Sequence, residues 1–294
     1  PSLLASALES LRPAESSHAV SEFLYPRGGI GRLSEKMQEK IIAGGGEIWC
    51  GSEVREIITE NGEVNLIRCN GPQGEFEIEP GRVISTIPIN VLLKALRPEP
   101  PEEIRSGARD LQFACSVLTY VLCDDPQVRS DSWLYFPQKE IIFTRIYEVN
   151  NFDRGNVPPG KSCLCVEVPC REGDSLWSLS DGEMQSRVKK DLQRVSLGNP
   201  ERWTKSLTIR LKNVYPVYYQ GYEKSLNQVF GWLSRLSNLI STGRGGAFCY
   251  NNTDHSIDMG LLAAEYFLSQ HTEGSDCSRF YQLRRRYEQY RIVD

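Results

Sequence analysis

The chain has 294 residues and a formal net charge of -4, enough length for one large domain or two of medium size around a substantial core. Its one basic run is Arg284 to Arg286, so nucleic acid is not expected as a partner, because phosphate tracking needs clustered Lys and Arg. No apolar stretch reaches the roughly 20 residues that span a bilayer, so no transmembrane segment is expected. The longest stretch, "LQFACSVLTYVLC", is interrupted by Gln112, Ser116 and Thr119.

The nine cysteines are scattered and odd in number, and the histidines are only His18, His255 and His271. Without paired CxxC knuckles no metal site is expected. Reduced thiols in a cytoplasmic protein fit this usage.

In chain order, a short strand is expected to end at Tyr25 and Pro26, followed by a Gly-rich turn. Ile30, Leu33, Met37 and Ile41 then fall at helical spacing, and Gly44 to Gly46 stop that helix. Two strands flank Asn61-Gly62, a dipeptide suited to a tight hairpin, and a third follows "GPQG". "RVISTIPINVLLKAL" reads as a buried strand entering a helix with Pro88 in its first turn.

"RPEPPEEI" reads as a connector. Beyond it four strands are expected, at Phe113–Leu122, Trp133–Phe136, Ile141–Tyr147 and Ser162–Val168. Ser180 and Glu183 form a capping box for a helix running to about Leu197. "KSLTIRLKNVYP" is a further strand, and a helix covers Leu226–Leu236. In "LISTGRGGAFCYNNTDHSIDMGLL" a strand end, a Gly-rich loop and a helix beginning near Ile257 follow closely, with Asp254 or Ser256 as cap. Such a helix start offers N–H groups and a partial positive charge to an electron-rich ligand. The consecutive residues Asp254, His255 and Ser256 point in different directions and make no triad.

Three segments in this order resemble the flavin amine oxidase and protoporphyrinogen oxidase superfamily. They are "YPRGGIGRLSEKMQEKIIAGGGEIWCGSEVREI", "RVISTIP" and the closing "GRGGAFCYNNTDHS" with its helix. "WLYFPQKEIIFTRIYEVNNF" is similar to the substrate-domain strand pair of the UDP-galactopyranose mutases, with Arg145 eight residues past Pro137. "GRGGAFCYNNTDHS" also resembles their Gly-Arg, a Tyr six residues on and Asn-x-Asp-His-Ser, although the loop between Tyr250 and Asp254 is shorter by two residues. "NVYPVY" matches a further string of that branch.

The resemblance implies an α/β, FAD/NAD(P)-binding Rossmann-like fold with an inserted α+β substrate domain on a mixed sheet. The corresponding division is 21–87 and 237–270 for the FAD-binding domain, 88–236 for the substrate domain and 271–294 for a C-terminal helical tail. "SEVREI" and "LISTGR" are expected to meet in one sheet. The glycine fingerprint that holds the FAD pyrophosphate in this superfamily, GxGxxG between strand and helix, has no match, since "GGIGRL" and "GRGGAF" both fail the spacing. The expectation is a C-terminal portion whose nucleotide-binding half lies elsewhere or on a separate polypeptide.

By the same resemblance, FAD is the cofactor. Gly28 and Gly29 would pass the flavin, and Val54 would offer its backbone to the adenine. Gly243, Arg244, Asp254, Ser256, Ile257 and Met259 would meet the flavin's pyrimidine edge. Tyr135, Arg145, Tyr215, Arg244, Tyr250 and Asn252 would surround a small-molecule substrate, with the two arginines on a nucleotide-sugar diphosphate. No general base stands out. The implied activity is an FAD-dependent oxidoreductase acting on a sugar nucleotide in polysaccharide biosynthesis. The alternatives are a UDP-galactopyranose mutase-type isomerase using reduced FAD and a non-catalytic remnant or partner-dependent subunit.

Overall fold

A computed structural model describes residues 23–269 and 277–290. The short strand expected to end at Tyr25 and Pro26 is not seen at 23–26, which have no regular structure, and any earlier part of it lies outside the described residues. The rings of Phe23 and Tyr25 pack instead on Trp133 and Phe152. The helix Gly31–Ala43 follows and ends at the glycines.

Strands β1 (Glu53–Glu60) and β2 (Glu63–Gly71) form the expected hairpin, with Asn61 and Gly62 both at positive φ, the geometry that matches strand twist in a two-residue turn. β3 (Gly74–Ile78) extends it. β4 (Val83–Ser85) leads into the helix Ile89–Ala95, and β5 (Leu96–Arg97) closes a four-stranded sheet ordered β3-β2-β1-β5.

The connector "RPEPPEEI" is non-helical through Pro101 and becomes helical at its last three residues. Glu102–Asp110 is helical, with Pro101 at its N-cap and Glu102 and Glu103 in its first turn, where carboxylates complement the dipole. β6 (Phe113–Cys123), β7 (Trp133–Tyr135), β8 (Arg145–Glu148), β9 (Ser162–Cys170) and β10 (Trp203–Pro216) form a second sheet, ordered β10-β6-β9-β8-β7 and antiparallel throughout. β8 is shorter than the expected Ile141–Tyr147, because the Asp191 carboxylate takes the Ile142 N–H that a ladder would need. The helix Asp181–Arg194 carries the complete capping box of Ser180 and Glu183.

After the helix Tyr222–Leu233, β11 (Leu239–Ser241) pairs in parallel with β4, its one partner strand among the described residues. "SEVREI" and "LISTGR" therefore lie in different sheets, contrary to expectation. β1 has β2 on one edge and β5 on the other, so no edge is left for β11. The two sheets still meet, through β2 and the residue before β11. The Asn238 side chain accepts from the Val64 N–H at 2.8 Å and donates to the Val64 carbonyl at 2.9 Å, serving the edge of β2 as a strand residue would.

Two main cores result. One gathers Ile57, Val64, Leu92, Leu96, Ile104, Val229, Leu233, Leu239 and Phe248. The other lies between the five-stranded sheet and the helix Asp181–Arg194, with Val117, Val121, Leu164, Val166, Met184, Val188 and Leu192. Residues 88–236 thus contribute to both. None of the nine cysteines forms a disulfide among the described residues. Among the described residues no helix is long and apolar enough to cross a membrane, and no group of residues could hold a metal ion.

Candidate active site

The far end of the five-stranded sheet brings together side chains that are widely separated in sequence. Arg145 stands opposite Tyr135 on β7 and opposite Glu167 on β9. Its Nε and Nη2 donate to Glu167 Oε2 at 2.9 and 2.7 Å, and the Tyr215 hydroxyl donates to Oε1 at 3.0 Å. Arg145 is 30% exposed and Glu167 10%, so the guanidinium faces outward over a sunken carboxylate. Burial is the largest single influence and disfavours the Arg145 charge, but Glu167, Tyr135 and Tyr215 together outweigh it, and the guanidinium is held more firmly protonated. Tyr215 is pushed up to about 12, by burial first and by Glu167 second. It is a neutral donor at physiological pH.

The second arginine arrives from the other end of the chain. Arg244 sits in the single helical turn Gly243–Gly246, with its guanidinium 5.4 Å from the Tyr215 ring centre and 5.5 Å from that of Tyr250. Its Nε donates to Asn251 Oδ1 at 3.3 Å, and its Nη2 donates to the Asn251 carbonyl. The Tyr215 and Tyr250 rings lie 5.5 Å apart, and the Tyr250 N–H donates to the Tyr218 hydroxyl at 2.7 Å. Two guanidiniums therefore flank one tyrosine against a single carboxylate, and the cluster carries a net positive charge. Tyr135, Arg145, Tyr215, Arg244 and Tyr250 converge as expected. Asn252 is on the adjoining loop, where its N–H donates to His255 Nδ1 at 3.2 Å.

Glu167, Tyr218 and Asn251 were not singled out from sequence. Glu167 left a trace, as the one charged residue in "SCLCVEVPC". Asn251, fully buried, joins Arg244 to the next helix: it donates to Met259 Sδ and accepts from Ser256 Oγ.

The flavin-facing expectations fare unevenly. The helix begins at Thr253, four residues before Ile257, with Ser256 N–H already bonded to the Asn252 carbonyl at 3.0 Å. Asp254 and Ser256 are therefore inside the first turn rather than caps. The N–H groups of Ile257 and Met259 lie within the helix, and Met259 is buried. His255 Nε2 is 3.7 Å from Asp254, and Ser256 Oγ is committed to Asn251. The three form no relay. Gly245 and Gly246 are explained by the fold itself, since a Cβ would come within 3.2 Å of Pro88 backbone and within 3.0 Å of the Ser85 carbonyl, respectively.

The residues present fit one side of a flavin. Gly28 and Gly29 have φ of +83° and +95°, and a Cβ on Gly29 would meet only Asn156 Oδ1, at 3.5 Å, so a planar ring can approach this backbone. The Gly28 N–H is anchored by Asp153 at 2.6 Å. Val54 is exposed on β1, and Gly243, with φ of +75°, has Thr86 as its neighbour at 3.7 Å. Among the described residues there is no glycine cradle for the diphosphate.

The model of the flavin-containing amine oxidoreductase family matches residues 3–229. The chain belongs to this family. Its cofactor is FAD, and its α/β architecture is that of the FAD-dependent amine oxidase-like fold. Among solved structures it is similar to a reduced UDP-galactopyranose mutase, at 23% identity and a TM-score of 0.69 over 86% of this chain and 53% of that one. A putative protoporphyrinogen oxidase from Exiguobacterium sp. 255-15 aligns at 17% identity and a TM-score of 0.63, over 90% of this chain and 55% of that one. Putrescine oxidase, as a triple mutant, aligns at 17% and 0.60, over 82% and 53%. No curated protein matches. The chain spans about half the length of these structures.

Proposed function

We propose that this chain is the substrate-side portion of an FAD-dependent oxidoreductase whose substrate is a small molecule carrying a diphosphate, as a nucleotide sugar does. The observation that carries the reading is the pairing of Arg145 and Arg244 across Tyr215. FAD, when bound, supplies the two-electron chemistry. The residues of this chain bind and orient: the arginines neutralise the anion, Tyr135, Tyr215 and Tyr250 add hydroxyls, and Gly28 and Gly29 leave room for the ring system. On this reading the five-stranded sheet forms the substrate side, and β1 to β5 with β4 and β11 form the flavin side. Cysteines without disulfides suit a cytoplasmic setting.

The paired arginines equally favour a mutase-type isomerisation of the same substrate class, because that reaction asks the same anion contacts of these side chains. In either case a nucleotide-binding half, within a longer chain or on another polypeptide, supplies the diphosphate cradle for FAD.

The test is titration with UDP and UDP-galactose of the wild type, Arg145→Ala and the double variant Arg145→Ala/Glu167→Gln, which removes the carboxylate left without its partner. Losing a forked contact to a diphosphate costs about 2 to 5 kcal/mol, so both variants should bind well over tenfold more weakly, with the double variant keeping wild-type thermal stability more closely. Equal affinities, or no binding by the wild type, would overturn the nucleotide-sugar reading and leave the family intact.

A further inference from the structure

Away from the arginine pair, two short helices carry matching stripes of side chains. Asn90, Leu93 and Lys94 on the helix Ile89–Ala95 stand at positions i, i+3 and i+4, and so do Arg105, Ala108 and Arg109 on the helix Glu102–Asp110. That spacing puts three side chains on one helix face. With Glu99 of the connector, these six residues line a cavity of about 290 Å³ whose walls are mostly apolar. Sites for small ligands begin at about 300 Å³, so the cavity suits a small molecule. Ala108 leaves the room: it is buried, as is Leu93 on the other helix, and a larger side chain in its place would fill the gap.

The rim is charged, and its charges do not cancel. Arg105 pairs through Nη1 with Glu99 and through Nη2 with Glu102 at 2.6 Å, and Arg109 pairs with the other Glu102 oxygen. Lys94 is exposed and makes no ion pair among the described residues. Three cations against two carboxylates leave one positive charge, and it lies at Lys94. Two polar atoms of side chains that line the cavity are also unmet among the described residues. Arg105 Nε, a donor, and Asn90 Oδ1, an acceptor, are buried without a hydrogen-bond partner, a condition that folded proteins normally avoid.

Apolar walls with a single uncompensated cation at the rim fit an amphiphile of one negative charge. A diphosphate would meet too little positive charge here, and an alkyl cation would meet the wrong sign.

We propose that the cavity between these two helices binds a small monocarboxylate with an apolar body, its carboxylate at Lys94 on the side of Arg105 Nε and its body between Leu93 and Ala108. The site shares no residue with the arginine pair. The helix Ile89–Ala95 separates them: Pro88, at its N-cap, is the residue on whose backbone Gly245 of the Arg244 turn rests.

Calorimetric titration of the full chain with octanoate tests the proposal, with octylamine and acetate as the probes of reversed charge and missing tail. Octanoate should bind one to one. Lys94→Glu, an exposed change that leaves the fold intact, should weaken it at least about tenfold, and Ala108→Leu, checked for wild-type thermal stability, should abolish it. Hydrogen exchange should slow several-fold across Glu102–Asp110 when octanoate is bound. No octanoate binding, equal binding of octylamine or acetate, an unchanged affinity in Lys94→Glu, or protection confined to other elements would overturn it. UDP separates this site from the one proposed above. Displacement of octanoate by UDP would place the carboxylate at the arginine pair and overturn the separate site, whereas octanoate binding without any UDP binding would sustain it and sink the diphosphate reading alone.

Discussion

Along the helix Asp181–Arg194, Met184, Val188 and Leu192 recur every fourth residue and are shut away against the five-stranded sheet. Along Gly31–Ala43, Leu33, Met37 and Ile41 recur at the same interval and remain exposed, and no residue of that helix is buried. Identical periodicity thus has opposite outcomes within one molecule. An apolar stripe states that a helix has a face to cover; whether the cover is at hand is a separate matter. The five-stranded sheet has its helix as cover, and the helix Gly31–Ala43 keeps an apolar face uncovered.

Alkali should widen the contrast most, because it acts on several groups of the closed sheet together. Burial raises the thiols of Cys123, Cys165 and Cys170 to about 11 and that of Cys163 to about 12, from an ordinary 9.0. Tyr120 on β6 rises to about 12 for the same reason first. These groups are neutral in the fold and ionise more readily once unfolded. Their contribution is therefore complete below pH 9 and is lost as pH climbs toward 11 to 12. Urea midpoints should hold up to about pH 8.5 and fall steeply above 9. A flat profile to pH 11 would contradict the burial of these thiols.

Next in size, Leu192→Ala should cost about 2 to 5 kcal/mol in urea unfolding, as large-to-small changes in closed cores do. Asn238→Ala comes third. It leaves the Val64 N–H and carbonyl without their partner, a loss of about 1 to 3 kcal/mol, and should loosen the join between β2 and β11 first, visible as faster exchange of the Val64 amide. The smallest effect belongs to Met37→Ala, within about 0.5 kcal/mol, since an exposed side chain has little burial to lose. If the same substitution costs as much as Leu192→Ala in a preparation in which a partner covers this face, the left-over stripe is an interface. If it costs that much in the chain alone, the comparison drawn above fails.

The features legible in sequence were those whose partners lie close along the chain. Ser180 and Glu183 are three residues apart and cap each other as read, and Asn61-Gly62 turns where it should. The helix Glu102–Asp110 was hidden by its prolines, which made "RPEPPEEI" look like a linker although Pro101 followed by two glutamates is a good helix start. The start of the helix Thr253–Ser269 was displaced because Asp254 and Ser256 have the side chains of caps, while the first helical bond falls on the Asn252 carbonyl. At the candidate site the arginines and tyrosines came from resemblance and do converge. Glu167, which organises them, escaped notice because its partners lie 22 and 48 residues away. Periodicity gives a strand's faces, not its neighbours across the sheet.

The Asn238 clip between β2 and β11 also sets a timetable. It joins residues 174 positions apart, so the hairpin made early in synthesis waits for its clasp until most of the chain has been translated. At about 5 to 20 residues per second that delay is on the order of 10 to 30 seconds, during which the edge of β2 at Val64 is open on the ribosome. A nascent chain stalled short of Asn238 should accordingly be a preferred client of chaperones that bind exposed strands, and one stalled after the C-terminal segment has emerged should not.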